Sequence, residues 1–202
     1  MKKILCIILL ALTFIATMTV TSFAATTHTV VKGDSLWRIA VRYQVGLGEI
    51  KAANPTIKNY DLIYPGQRIN IPSISESVVA YESEVVRLVN EIRIQNGLKP
   101  LSQDWQLSRV ARYKSQDMKD LGYFSHTSPT YGSPFDMMKS FGISYMSAGE
   151  NIARGYRSPE EVVRAWMNSP GHRANILNAS FTHIGVGYVS SGNHWTQMFI
   201  FK

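Results

Sequence analysis

Ser158-Pro159-Glu160-Glu161-Val162-Val163 opens a helix. Ser158 is an N-cap, Pro159 suits the first helical position, and Glu161 is placed to return a capping bond. Val162, Val163 and Trp166 continue the helix, and Ser169-Pro170 begins a further turn toward Ile176-Leu177. The period then changes. Ile184-Gly185-Val186-Gly187-Tyr188-Val189 and Trp195-Thr196-Gln197-Met198-Phe199-Ile200-Phe201 read as strands, joined by the hairpin turn Ser190-Ser191-Gly192-Asn193. Upstream, Glu82 to Asn96 has an apolar stripe of Val85, Leu88, Val89 and Ile92, with Gly97 as its stop. Asp104 to Leu121 has Leu107, Val110, Ala111, Met118 and Leu121 on one side and ends at Gly122. Helices followed by antiparallel strands predict an α+β layered domain.

A smaller unit precedes it. His28-Thr29-Val30-Val31 reads as a strand, and Gly33-Asp34-Ser35 turns the chain and supplies an N-cap from Asp34 or Ser35. The helix it starts carries Leu36, Ile39, Ala40 and Tyr43, and Gly46 and Gly48 break it. Glu49 to Ala53 is a second short helix, stopped at Asn54-Pro55 because proline disfavours the helical conformation before it. Tyr64-Pro65-Gly66-Gln67 is a turn and Arg68-Ile69-Asn70-Ile71 a closing strand, giving the order βααβ. Residues 73–81 read as a short polar linker, and no internal repeat is visible.

The 202 residues are 45% hydrophobic and 17% charged, which excludes a wholly disordered chain. Lys and Arg number 21 against 14 Asp and Glu, a net charge of +7. The excess is spread over both units without a basic, aromatic-interleaved cluster, so no nucleic-acid partner is expected. Attraction to an anionic wall polymer is compatible with it. Residues 1–25 read as a secretory signal peptide: Lys2-Lys3, an uncharged apolar run from Ile4 to Ile15, and small residues at Ser22 and Ala24. Thr17, Thr19, Thr21 and Ser22 dilute the run, so no stable membrane span is expected after cleavage. The sole cysteine, Cys6, lies inside that signal, leaving the mature chain no disulfide, no thiol nucleophile and no thiolate ligand.

Gly33-Asp34-Ser35-Leu36-Trp37-Arg38-Ile39-Ala40, Asn54-Pro55 and Tyr64 to Pro72 closely resemble a LysM domain, over residues 26–72. The resemblance implies binding of N-acetylglucosamine-containing glycans such as peptidoglycan. The implied groove has Gly33, Asp34, Ser35 and Leu36 facing Tyr60, Leu62 and Ile63. Backbone groups at a helix start can bond sugar amides while apolar side chains cover the acetyl methyl. Leu36 and Ile63 also qualify as core residues.

Histidines stand at 28, 126, 172, 183 and 194, and none forms a local metal motif. Phe124-Ser125-His126-Thr127-Ser128-Pro129, Gly149-Glu150-Asn151-Ile152, Trp166 to Leu177, Ile184 to Gly187 and His194-Trp195-Thr196-Gln197 together resemble the CAP superfamily over residues 82–202, in its bacterial disulfide-free branch. That resemblance implies an α-β-α sandwich with an open cavity holding two histidines and two acids that can bind a divalent metal such as Zn²⁺. Carried over by motif, the cavity residues are His126, Glu150 and His194, with His126 and His194 as metal ligands. The second acid falls at Ser169, so the set is incomplete. His172, one helical turn beyond, is the residue placed to stand in part for it.

Two functions follow from this reading. One is a secreted protein of the cell wall or spore coat that docks on peptidoglycan and offers a cavity to a ligand, metal or partner. The other is a metal-assisted or acid–base hydrolase of wall peptide or glycan, with Glu150 as general base. The missing acid at Ser169 favours the first.

Overall fold

The computed structural model describes residues 26–202. The segment read as a signal peptide, with Cys6, lies outside them. The small unit pairs β1 (Thr26–Thr29) antiparallel with β2 (Arg68–Ile71), in the register His28 opposite Ile69. Between them lie α1 (Leu36–Arg42) and α2 (Leu47–Ala53). Ser35 caps α1 by accepting from the Arg38 amide. Leu36, Ile39, Ile50, Ile69 and Ile71 form the core, with Tyr60 and Ile63 packed against it.

The linker is shorter than the expected 73–81, because α3 runs from Glu76 to Gln95. Its added first turn carries Val78, which packs against the large core and gives that turn a buried face. The large unit continues with β3 (Ser102–Gln103), α4 (Trp105–Asp120), α5 (Pro134–Ser140), β4 (Ser147–Arg154), α6 (Pro159–Asn168), α7 (Pro170–Ile176), β5 (His183–Val189) and β6 (His194–Phe201). The sheet order is β3-β5-β6-β4, which leaves β4 on an edge. Helices α3, α6 and α7 cover one face through Val85, Val89, Val162, Trp166 and Ile176, while α4 and α5 cover the other through Leu107, Val110, Met137 and Met138. The result is the expected α-β-α sandwich within an α+β chain.

Two glycines set the depth of one layer. A Cβ on Gly185 would lie 2.3 Å from the Ser108 amide nitrogen, and one on Gly187 would lie 2.1 Å from the Ala111 carbonyl carbon. Backbone of α4 therefore rests directly on β5, and this close approach sets α4 against the sheet. The two units also touch. Arg109 of α4 grips Glu49 of α2 with two bonds, Nε to Oε1 at 2.5 Å and Nη2 to Oε2 at 2.9 Å. Among the described residues no helix is long and apolar enough to cross a membrane.

Candidate functional site

In the small unit, Gly33 takes a left-handed φ of +92°, which turns the chain into α1. Gly33, Ser35 and Leu62 are exposed. Two of the expected groove residues point elsewhere. The Leu36 side chain is in the core, only 3% exposed. The Asp34 carboxylate turns inward: its Oδ2 accepts from the Val31 amide at 3.0 Å and lies 2.7 Å from His28 Nε2. The Val31 amide first, then His28, hold its carboxyl below the usual range. Asp34 therefore fixes the loop that presents Gly33 and Ser35. His28, to which no sequence motif assigns a role, is its clamp, with Nδ1 3.2 Å from the Tyr43 hydroxyl.

In the large unit, β4 carries Glu150 on the face toward α4, opposite Met198 of β6. Its side chain is 1% exposed, while His126, on the loop after α4, is about half exposed. His126 Nδ1 lies 2.7 Å from Glu150 Oε1, and Oε2 is buried with no hydrogen-bond partner among the described residues. Burial pushes the Glu150 carboxyl up, against the pull of the His126 hydrogen bond and the Lys114 charge. A buried carboxylate fixes one imidazole nitrogen and leaves the other for a ligand or proton.

The His126 loop is anchored from below. Lys114 is fully buried, and its Nζ donates to the His126 carbonyl at 2.8 Å and to the Tyr123 hydroxyl at 3.1 Å. Asp117 accepts from the Ser128 and Thr130 hydroxyls at 2.7 and 2.6 Å. No sequence period marks Lys114 as special, since it falls on the inner side of α4 like its apolar neighbours. A lysine at a buried helical position was the available signal.

On the opposite face of β4, Asn151 Nδ2 donates to Gln197 Oε1 at 2.9 Å and to the His172 carbonyl at 3.1 Å. Asn175 Nδ2 donates to Asn151 Oδ1 at 2.9 Å, so the network ties α7 to β4 and β6. The His172 side chain is half-buried; burial, then the charge of His126, lowers its imidazole below the usual value.

His194 does not join this pair, a correction to the expected three-residue cavity. It stands opposite Arg154 at the far end of β6, four positions from Met198, or about 13 Å along the strand. There it is buried, with Nδ1 3.2 Å from the Ser191 carbonyl of its own hairpin turn. The donors expected of a metal centre thus reduce to one imidazole and one carboxylate already bonded to each other. Among the described residues no three His, Cys, Asp or Glu side chains cluster as a metal would need. The residues present do not fit the divalent metal that the resemblance implies.

A hollow of about 350 Å³ opens against the loop that carries His126, lined by Phe124 of that loop with Ile152, Arg154, Trp166, Ser169 and His172; His126 and Glu150 are not among its lining residues. Trp166 Nε1 donates to the Ile152 carbonyl at 3.2 Å and forms its floor. The site is thus a cleft on the edge of the sheet, between the His126 loop and the α6–α7 corner.

The model of the cysteine-rich secretory protein family, CAP, matches residues 86–201, and the LysM domain model matches residues 28–72. The chain is a CAP protein. An uncharacterized Bacillus subtilis protein, YkwD, is 69% identical to it over 130 residues, covering 64% of this chain and 51% of that protein. The spore coat assembly protein ExsA of Bacillus cereus is 48% identical over 48 residues, 24% of this chain and 8% of its own length. The chain thus spans about half, or much less, of the curated relatives it matches. Among solved structures, an extracellular protein with an SCP domain from Bacillus anthracis is 36% identical, with a TM-score of 0.60, covering 68% of this chain and 47% of that one. In this CAP protein the LysM unit and the cleft are joined by the Glu49–Arg109 contact.

Proposed function

We propose that this protein works at the cell wall as a docked binding module. The LysM unit holds N-acetylglucosamine-containing glycan of peptidoglycan, with backbone at Gly33 and Ser35 and the exposed side of Leu62 at the contact. The CAP unit presents the His126–Glu150 cleft to a ligand or partner. A place in the wall or spore coat fits both the LysM unit and the likeness to a spore coat assembly protein. One observation carries the reading: a half-exposed imidazole held on a buried carboxylate beside an open hollow, on a unit gripped by a LysM domain.

The test is sedimentation with purified peptidoglycan sacculi. The full chain is expected to sediment and to be released by soluble N-acetylglucosamine oligomers. Leu62→Asp, on an exposed side chain, is expected to weaken sedimentation at least tenfold with an unchanged unfolding temperature. Wild-type sedimentation by this variant would remove Leu62 from the contact and with it the groove reading.

A second reading rests on the same pair. The unpartnered Oε2 and the carboxyl raised by burial suit a proton acceptor. His126 would then move a proton at its outer nitrogen in an acid–base hydrolysis of wall peptide or glycan.

A further inference from the structure

The open side of β4 has two properties that the binding reading leaves unused. First, it is an edge with its backbone turned outward. Asn175 Nδ2 donates to the Glu150 carbonyl at 3.1 Å and Trp166 Nε1 to the Ile152 carbonyl at 3.2 Å, so both carbonyls point away from β6. In an antiparallel ladder the outward groups recur every second residue, which turns the amide and carbonyl of Arg154 the same way. No strand or side chain bonds the Arg154 carbonyl among the described residues. A second hollow of about 590 Å³ adjoins the first, sharing Tyr156, Ala165 and Ser169 and reaching Arg164 and Glu161. The two make one trough along the strand edge and the flank of α6.

Second, the trough carries two arginines, Arg154 and Arg164, against one acid, Glu161. Arg154 is exposed, and its guanidinium stands over the Phe124 ring, 5.4 Å from the centroid. Neither Arg154 nor Arg164 has an acid within ion-pair distance among the described residues, and Glu161, in the hollow with Arg164, instead accepts from the Arg157 amide. The acid expected at the α6–α7 corner is absent, because Ser169 occupies the place where the two hollows meet. Glu150 cannot serve, being buried and bonded to His126. A guanidinium over an aromatic face still offers its fork of donors to a carboxylate.

We propose that this trough takes an extended acidic peptide, which pairs along the outer edge of β4 at Arg154 and sets a carboxylate on the Arg154 guanidinium. The outward carbonyls of Glu150 and Ile152 are already taken, so main-chain pairing is confined to Arg154, and its guanidinium supplies the affinity and the preference for acid. The inference rests on the reading of the CAP unit as a binding cleft, and it names the ligand class.

The experiment titrates the full chain with the tripeptide alanyl-glutamyl-alanine and with its neutral counterpart, alanyl-glutaminyl-alanine amide, by calorimetry and backbone amide NMR. The acidic peptide is expected to bind at least tenfold more tightly and to shift the amides of Ile152 and Arg154. Arg154→Ala is expected to lose that tenfold, Arg154→Lys to keep part of it, and Ser169→Glu to weaken binding as Arg154→Ala does. Arg154 is exposed, and unchanged unfolding temperatures check that the variants fold. Equal binding of the two peptides, wild-type binding by Arg154→Ala, or tighter binding of a glycerol phosphate oligomer would overturn the assignment. If neither peptide binds while a muropeptide mixture shifts the His126 resonances, the acidic-peptide assignment falls and the cleft reading stands. If the mixture also leaves His126 unmoved, both fall, whatever the sedimentation of the LysM unit shows.

Discussion

Breaking the Arg109–Glu49 grip should separate the two units without unfolding either. The pair is bidentate, and its side chains are 22% and 24% exposed, so it is neither a free surface pair nor a buried one. Exposed pairs contribute about 0.2–1 kcal/mol. The two-pronged geometry and partial burial raise the expected coupling to about 1–2 kcal/mol. Arg109 also lies over the Tyr113 and Phe141 rings, 5.4 and 5.0 Å from their centroids. Each such contact contributes about 0.5–1 kcal/mol. Glu49→Ala should therefore cost about 1–1.5 kcal/mol and Arg109→Ala about 2–3 kcal/mol. The assay is a double-mutant cycle in denaturant, followed by fluorescence of Trp37 in the small unit and Trp105, Trp166 and Trp195 in the large one. Small-angle scattering on the same proteins should show the single variants more extended than wild type. A coupling below about 0.3 kcal/mol with unchanged scattering would refute the claim that this contact holds the LysM unit on the CAP unit.

Burial raises the Glu150 carboxyl, so its ionisation costs the folded state. The unfolded carboxyl titrates near about 4.3, and wild-type stability should fall relative to Glu150→Gln as pH rises from there through the raised folded value. Glu150→Gln should thus gain more unfolding temperature over wild type at pH 7 than at pH 3.5; a gain no larger at pH 7 would contradict the direction. Gly187→Ala should destabilise by about 3 kcal/mol, read from the denaturation midpoint, because its Cβ would meet α4 backbone at 2.1 Å; a loss under about 1 kcal/mol would show that α4 can lift from the sheet. One equivalent of Zn²⁺ should leave the unfolding temperature unchanged, since His126 and Glu150 bond each other and His194 lies apart; a rise that disappears in His126→Ala would restore the metal reading.

Much of the architecture was legible because its signals are local. Ser158-Pro159 starts α6, and the hairpin at Ser190–Asn193 separates β5 from β6 as the turn residues require. Strand β4 gave no period: in Ser147-Ala148-Gly149-Glu150-Asn151-Ile152-Ala153-Arg154 the residues from Gly149 to Ala153 are all buried, on both faces, so apolar and polar side chains do not alternate. Helix α5 is short, seven residues, so its capping box at Ser133 and Asp136 stands without a long apolar period to mark it in the sequence. The pairing of His126 with Glu150 came from resemblance, since the residues are far apart in sequence and only the α4 loop and the sheet edge bring them together. The same resemblance misplaced His194, because motif order does not fix strand register: Glu150 faces Met198, and His194 is carried to the far end. The LysM resemblance implies groove-facing Asp34 and Leu36, but a carboxylate that finds two partners and a leucine that finds a core both turn inward.

In the proposed function the CAP cleft binds its ligand without consuming it. The most direct measurement is incubation of the full chain with purified muropeptides, followed by mass spectrometry. Masses should be unchanged with wild type and Glu150→Gln alike, while the His126 resonances of wild type shift on addition of the same muropeptides. New fragments formed by wild type and abolished in Glu150→Gln would contradict it and make the His126–Glu150 pair a catalyst.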